Sequence, residues 1–84
     1  KKKARDSVRQ INISQIRVGI EIYRNEHNNY PASLDELSPK YLLTLPVDPL
    51  TKKPYQYQLK ENGKGYKICT WLESTKTQKC LTVP

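Results

Sequence analysis

Apolar residues in the first third of the chain fall along two lines of a single helix. Ile13, Ile16, Ile20 and Tyr23, followed by His27, recur at spacings of three and four, the period of one helix face. Ala4, Val8, Ile11, Val18 and Ile22 follow a second line, whose centre is about 140° away at about 100° per residue. The pattern predicts a helix over residues 4–27, about 36 Å long at the usual rise. Its polar sector is narrow and holds Asn12, Ser14, Arg17, Glu21, Arg24 and Asn25. A surface helix of a globular domain carries one apolar stripe, so the second stripe calls for a cover of its own. Gly19 sits inside this helix. Either a strand or neighbouring helix comes close to its bare backbone, or the fold tolerates it.

The helix is expected to stop in Asn28-Asn29-Tyr30-Pro31, because asparagine accepts the left-handed cap and Pro31 turns Tyr30 away from helical angles. Ser33-Leu34-Asp35-Glu36 fits a capping box and predicts a short helical turn, which Pro39 keeps short. Leu34, Leu37, Leu42, Leu43 and Leu45 are expected to pin this connection to the core. Pro46-Val47-Asp48-Pro49 reads as a stiff, extended passage. Beyond Pro54 the period changes to two. Tyr55, Tyr57 and Leu59 alternate with polar residues, Asn62-Gly63-Lys64-Gly65 marks a hairpin loop, and Tyr66, Ile68, Thr70 and Leu72 alternate with Lys67, Cys69 and Trp71. Residues 78–83 supply a third strand. The fold class is α+β, a long N-terminal helix packed against a small three-stranded antiparallel sheet, with a short helical turn in the connection. Residues 1–84 form one domain: helix 4–27, connecting loop 28–54 and β-meander 55–83.

At 84 residues a single core leaves a thin stability margin, and Cys69 and Cys80, the two cysteines of the chain, are read as a disulfide staple of an oxidising compartment. They lack the Cys-x-x-Cys spacing of a redox pair and the further ligands of a metal site. The net charge of +7 is gathered at the two ends of the sequence, residues 1–9 and 48–84, with the middle near neutral. Such an excess can follow a phosphate backbone or an anionic lipid surface; the plainer reading is a solvated surface together with a basic segment beside a membrane. The chain holds no transmembrane run and no signal peptide, and its start at Lys1-Lys2-Lys3 without methionine reads as a cut end.

Candidate chemistry is sparse. His27, the single histidine, sits where a helix C-terminus favours it. Asp35 and Glu36 belong to a helix start, and Asp48 is expected to accept hydrogen bonds from its own turn. Glu73 is the one acid of residues 70–84, too few for calcium. No phosphate loop or nucleophile motif occurs, so neither enzyme activity nor a cofactor is expected. Trp71 with Lys60, Lys64, Lys67, Lys76 and Lys79 offers the ingredients of a basic stacking platform for nucleic acid; the plainer reading is a Trp71 ring packed over the disulfide.

Taken together, Lys3-Ala4-Arg5-Asp6, Ile20-Glu21-Ile22-Tyr23, Asn28-Asn29-Tyr30-Pro31, Leu34 with Leu37, Tyr41-Leu42, Leu45-Pro46-Val47-Asp48-Pro49 and Pro54-Tyr55-Gln56-Tyr57 resemble the type IV pilin and type II secretion pseudopilin superfamily over residues 3–59. The resemblance implies a helix whose first, hydrophobic half is a membrane anchor upstream of Lys1, and whose second half packs under the sheet. It further implies a non-enzymatic subunit of a pilus or related filament at the cell surface, methylated at its mature N-terminus. Its partners would be copies of itself or other pilins and the inner-membrane assembly machinery, and it would meet the membrane only through the upstream segment. Asp48-Pro49-Leu50-Thr51-Lys52-Lys53-Pro54 lacks the Trp and Gly common in major pseudopilins, and Cys69 with Cys80 looks like the C-terminal disulfide loop of pilins, which favours a pilin. On this reading Ile13, Ile16, Ile20 and Tyr23 face the chain's own sheet, and Ala4, Val8, Ile11, Val18 and Ile22 form the assembly face. The alternatives are a minor pilin that captures DNA through Lys60, Lys64, Lys67 and Trp71, a secretion pseudopilin, and a free-standing secreted adaptor.

Overall fold

The computed structural model describes all residues, Lys1–Pro84. Helix α1 spans Lys2–His27, starting two residues before the expected boundary. Frequent isoleucine and valine make its intrinsic propensity modest, so tertiary packing must hold it, and Ile16 and Ile20 are fully buried. It ends at Asn28, whose φ of 65° is left-handed and whose N–H donates to the Arg24 carbonyl at 2.7 Å. What approaches Gly19 is neither a strand nor a helix but a side chain of the connection: a Cβ there would lie 2.9 Å from Leu42 Cγ.

A 3₁₀ turn at Leu34–Leu37 follows, and the Glu36 carboxylate accepts the Ser33 N–H at 3.1 Å as the capping box requires. Leu34 and Leu37 are buried, and Leu42 and Leu45 pack against the core from its edge. Leu43 departs from expectation. It is 85% exposed, because its neighbour Leu42 takes the inward place over Gly19.

Strands β1 (Gln56–Leu59), β2 (Tyr66–Leu72) and β3 (Thr77–Val83) form one antiparallel sheet in the order β1-β2-β3. Opposed pairs such as Leu59 with Tyr66, Tyr57 with Ile68 and Ile68 with Leu81 share the face turned to α1, since successive side chains alternate between faces. Tyr66 and Ile68 are buried there together with Ile16, Ile20, Tyr30, Leu34, Leu37 and Tyr55. Tyr57 anchors the helix exit, its hydroxyl donating to the Pro31 carbonyl at 2.6 Å. On the outer face Cys69 lies directly opposite Cys80, and the two form the disulfide.

Candidate functional site: the open face of the helix and its ionic footing

The two stripes of α1 meet different surroundings. Ile16 and Ile20 are buried in the core, with Ile13 and Tyr23 packed at its margin. Tyr23 stacks on His27 at 4.1 Å between ring centroids, and its hydroxyl donates to Glu36. On the second line Val8, Ile11, Val18 and Ile22 are 41%, 57%, 59% and 43% exposed, and Ala4 is exposed as well. Ile11 and Val18 border one shallow surface with Gln10, Ser14 and Gln15 between them. No part of the chain covers this row.

The sheet-facing line does not begin at Ile13. Stepping back by four and three residues reaches Arg9 and Asp6, and both are buried, at 2% and 6% exposure. Arg9 is the hub of a cluster that joins α1 to two distant loops. Its Nε donates to Asp48 Oδ2 at 2.7 Å and its Nη2 to Asp48 Oδ1 at 3.2 Å, a bidentate pair that suits the planar guanidinium. Its Nη1 donates to Asp6 Oδ1 at 2.8 Å and lies 2.8 Å from Glu73 Oε2. Arg5 grips Glu73 through Nε at 2.6 Å and Nη2 at 2.8 Å. Asp6 in turn accepts the backbone N–H of Glu73 and of Ser74, each at 2.9 Å, and the Ser74 hydroxyl at 2.6 Å.

Asp48 accepts the N–H groups of Leu50 and Thr51 at 2.9 and 3.0 Å, the turn role its sequence position predicts, and it carries the Arg9 contact besides. Next to it Asn12 donates to the Val47 carbonyl and to the Tyr55 hydroxyl. The electrostatics follow from these contacts. The Arg9 guanidinium holds the Asp48 carboxyl down to about 2, against an ordinary value of about 4. Arg5 first and Arg9 second hold Glu73 at about 2. The Ser74 hydrogen bonds, more than the arginine, push Asp6 far below the usual carboxylate range. Desolvation opposes each shift and is outweighed.

Asp6, Arg9 and Glu73 thus do work that sequence reasoning missed. A signal was present: Asp6, Arg9, Ile13, Ile16, Ile20 and Tyr23 continue one alternation of three and four, yet charged residues at the start of such a row read as solvated.

Of the residues considered for nucleic acid, Lys60, Lys64 and Lys67 lie at the β1–β2 end of the sheet and Trp71 stands apart from them. Lys60 and Lys64 sit in and beside the β1–β2 turn, which touches the helix exit through Tyr30 N–H and the Gly63 carbonyl. Lys67 and Trp71 share the outer sheet face, but Lys67 borders a depression with Lys60 and Glu61, whereas Trp71 borders one with Thr51, Pro54 and Gln78. Lys79 lies opposite Thr70 on the helix side and reaches Gln10 at 3.4 Å. Trp71 is 53% exposed and borders the same depression as Cys69 and Gln78, where Gln78 donates to Gln56 at 3.1 Å. Among the side chains of the domain no group of three His, Cys, Asp or Glu is placed to hold a metal ion, and no helix is long and apolar enough to cross a membrane.

No protein-family model, no curated protein and no solved structure matches the chain. The domain is a small α+β unit, one long helix on a three-stranded antiparallel sheet, compatible with a pilin-like fold.

Proposed function

We propose that this domain is a non-enzymatic structural subunit of a type IV pilus or related surface filament, and that it assembles through α1. The observation that carries the reading is the uncovered row of Val8, Ile11, Val18 and Ile22 on a helix whose other apolar face is already occupied by its own sheet. Helices with such rows pack ridges into grooves against one another, and burying four aliphatic side chains stabilises a contact on the order of 1–2 kcal/mol each when fully covered. The ionic cluster supports the same reading. It clamps the first turns of α1 to both loops at that end, so the row is presented on a fixed surface. The resemblance in residues 3–59 supplies the filament class, and the disulfide supports an extracytoplasmic setting.

The test is made in the full-length gene product. The double variant Ile11→Glu/Val18→Glu places two charges on the open row while leaving the core untouched. Its domain keeps the wild-type thermal midpoint within about 2 °C, since surface substitutions usually cost little, yet surface filaments counted by negative-stain microscopy fall at least about tenfold. Wild-type filament numbers with this variant incorporated would contradict assembly through α1.

A further inference from the structure

The ionic cluster has a consequence for the charge of the surface around it. Asp6, Asp48 and Glu73, the acids at the start of α1 and on the two loops it clamps, are turned inward onto Arg5 and Arg9. What remains outward at this end is lysine. Lys1, Lys2 and Lys3 stand on or beside the first described turn of α1, exposed. Lys52 and Lys53 belong to the turn that Asp48 closes, through Lys52 N–H on the Asp48 carbonyl and Asp48 N–H on the Lys53 carbonyl. Lys76 lies on the β2–β3 hairpin, two residues from the Ser74 held by Asp6. Six lysines thus ring one pole, and the three carboxylates near them are already shared with two arginines.

Two large apolar side chains stand exposed at the same pole. Leu50 is 54% exposed in the Asp48 turn, and Trp71 is 53% exposed at the hairpin end of β2, bordering a depression with Thr51 and Pro54 of that turn. We propose that this lysine-ringed pole, with Leu50 and Trp71 as its apolar contacts, seats the domain on an anionic lipid bilayer. Cations next to a tryptophan and an aliphatic anchor are the composition of an interfacial membrane contact. A single-strand nucleic-acid platform stacks successive bases on several aromatic side chains, and the stacking residue here is single. The contact lies on the domain itself, in addition to any hydrophobic segment upstream, and does not rest on the filament reading.

The chain supplies its own probe, since Trp71 is its single tryptophan. The oxidised 84-residue chain is titrated with vesicles of phosphatidylcholine containing about 30% phosphatidylglycerol, and with phosphatidylcholine alone, at low salt. The expected result is a blue shift of Trp71 emission with the anionic vesicles only, reversed by about 0.5 M salt. Lys52→Gln/Lys53→Gln weakens partitioning about 25-fold, about fivefold per lysine. Lys60→Gln/Lys64→Gln removes the same charge at the other end of the sheet and changes it less than about twofold. Thermal midpoints of both variants confirm the fold before they are compared. Equal losses in the two variants, an unmoved Trp71 emission at saturating anionic vesicle, or tighter binding to duplex DNA at equal salt would each overturn the proposal.

Discussion

Replacing Arg9 by methionine removes the one cation that touches Asp6, Asp48 and Glu73 together. Three carboxylates then share a largely buried site with Arg5 alone, and breaking such a cluster costs about 3 kcal/mol, read as a lower midpoint in urea. The pH dependence changes with it. Asp48 and Glu73 have folded pKa values lowered to about 2, so their contribution is complete above the unfolded value of about 4 and is lost as pH falls from about 4 to about 2. The wild-type chain therefore loses stability across that window, and Arg9→Met loses less of what it has, because its Asp48 no longer starts from a depressed value. An equal slope in both proteins would contradict the assigned role of Arg9. Gly65 makes a second prediction at this scale. A Cβ there runs into the Val83 carbonyl oxygen, a backbone atom of the neighbouring strand, so Gly65→Ala is expected to destabilise by about 1–3 kcal/mol. The two residues differ in legibility: Gly65 is marked by its place after a turn, whereas Arg9 meets Asp48 across 39 positions, a contact no local pattern encodes.

Among the elements, the change of period from about 3.6 to two located the helix and the strands, and turn residues located their ends. Asn28, Ser33 with Glu36, and the Asn62–Gly65 loop each stand where the local chemistry of capping and turning requires. Less of the connection was readable. Leucines at 42, 43 and 45 look equivalent in sequence, but Leu42 fills the notch at Gly19 and Leu43 points outward. The β2–β3 hairpin depends on both its register and its bridge. Cys69 faces Cys80 with a sequence separation of 11, and closing a loop of that length stabilises by about 3 kcal/mol in the chain-entropy model. Cys69→Ser/Cys80→Ser is therefore expected to lower unfolding free energy by about 2–3 kcal/mol, with the sheet still formed by far-ultraviolet circular dichroism. An unchanged midpoint would mean that the inward face of the hairpin, Ile68 with Leu81, holds the register alone.

At the scale of the whole molecule, an elongated body of 39 × 26 × 16 Å divides its labour by face and by end. One side of α1 is sealed by the sheet, the other is bare, and the foot of the helix is tied to both loops by buried ion pairs. The two-stripe pattern made the first division readable from residues alone, because both rows are written in one short segment. The ionic footing was hidden because its members come from residues 5–9, 48 and 73, brought together only by the fold. The central claim is that the bare row of α1 is a subunit contact, and site-specific photocrosslinking in surface filaments of the full-length product tests it most directly. A crosslinker at Ile11 or Val18 is predicted to join α1 of neighbouring subunits, and one at Gln58 on the outer sheet face to leave α1 unlabelled. Subunits joined from Gln58 to α1, or no subunit-to-subunit product from Ile11 and Val18, would contradict it.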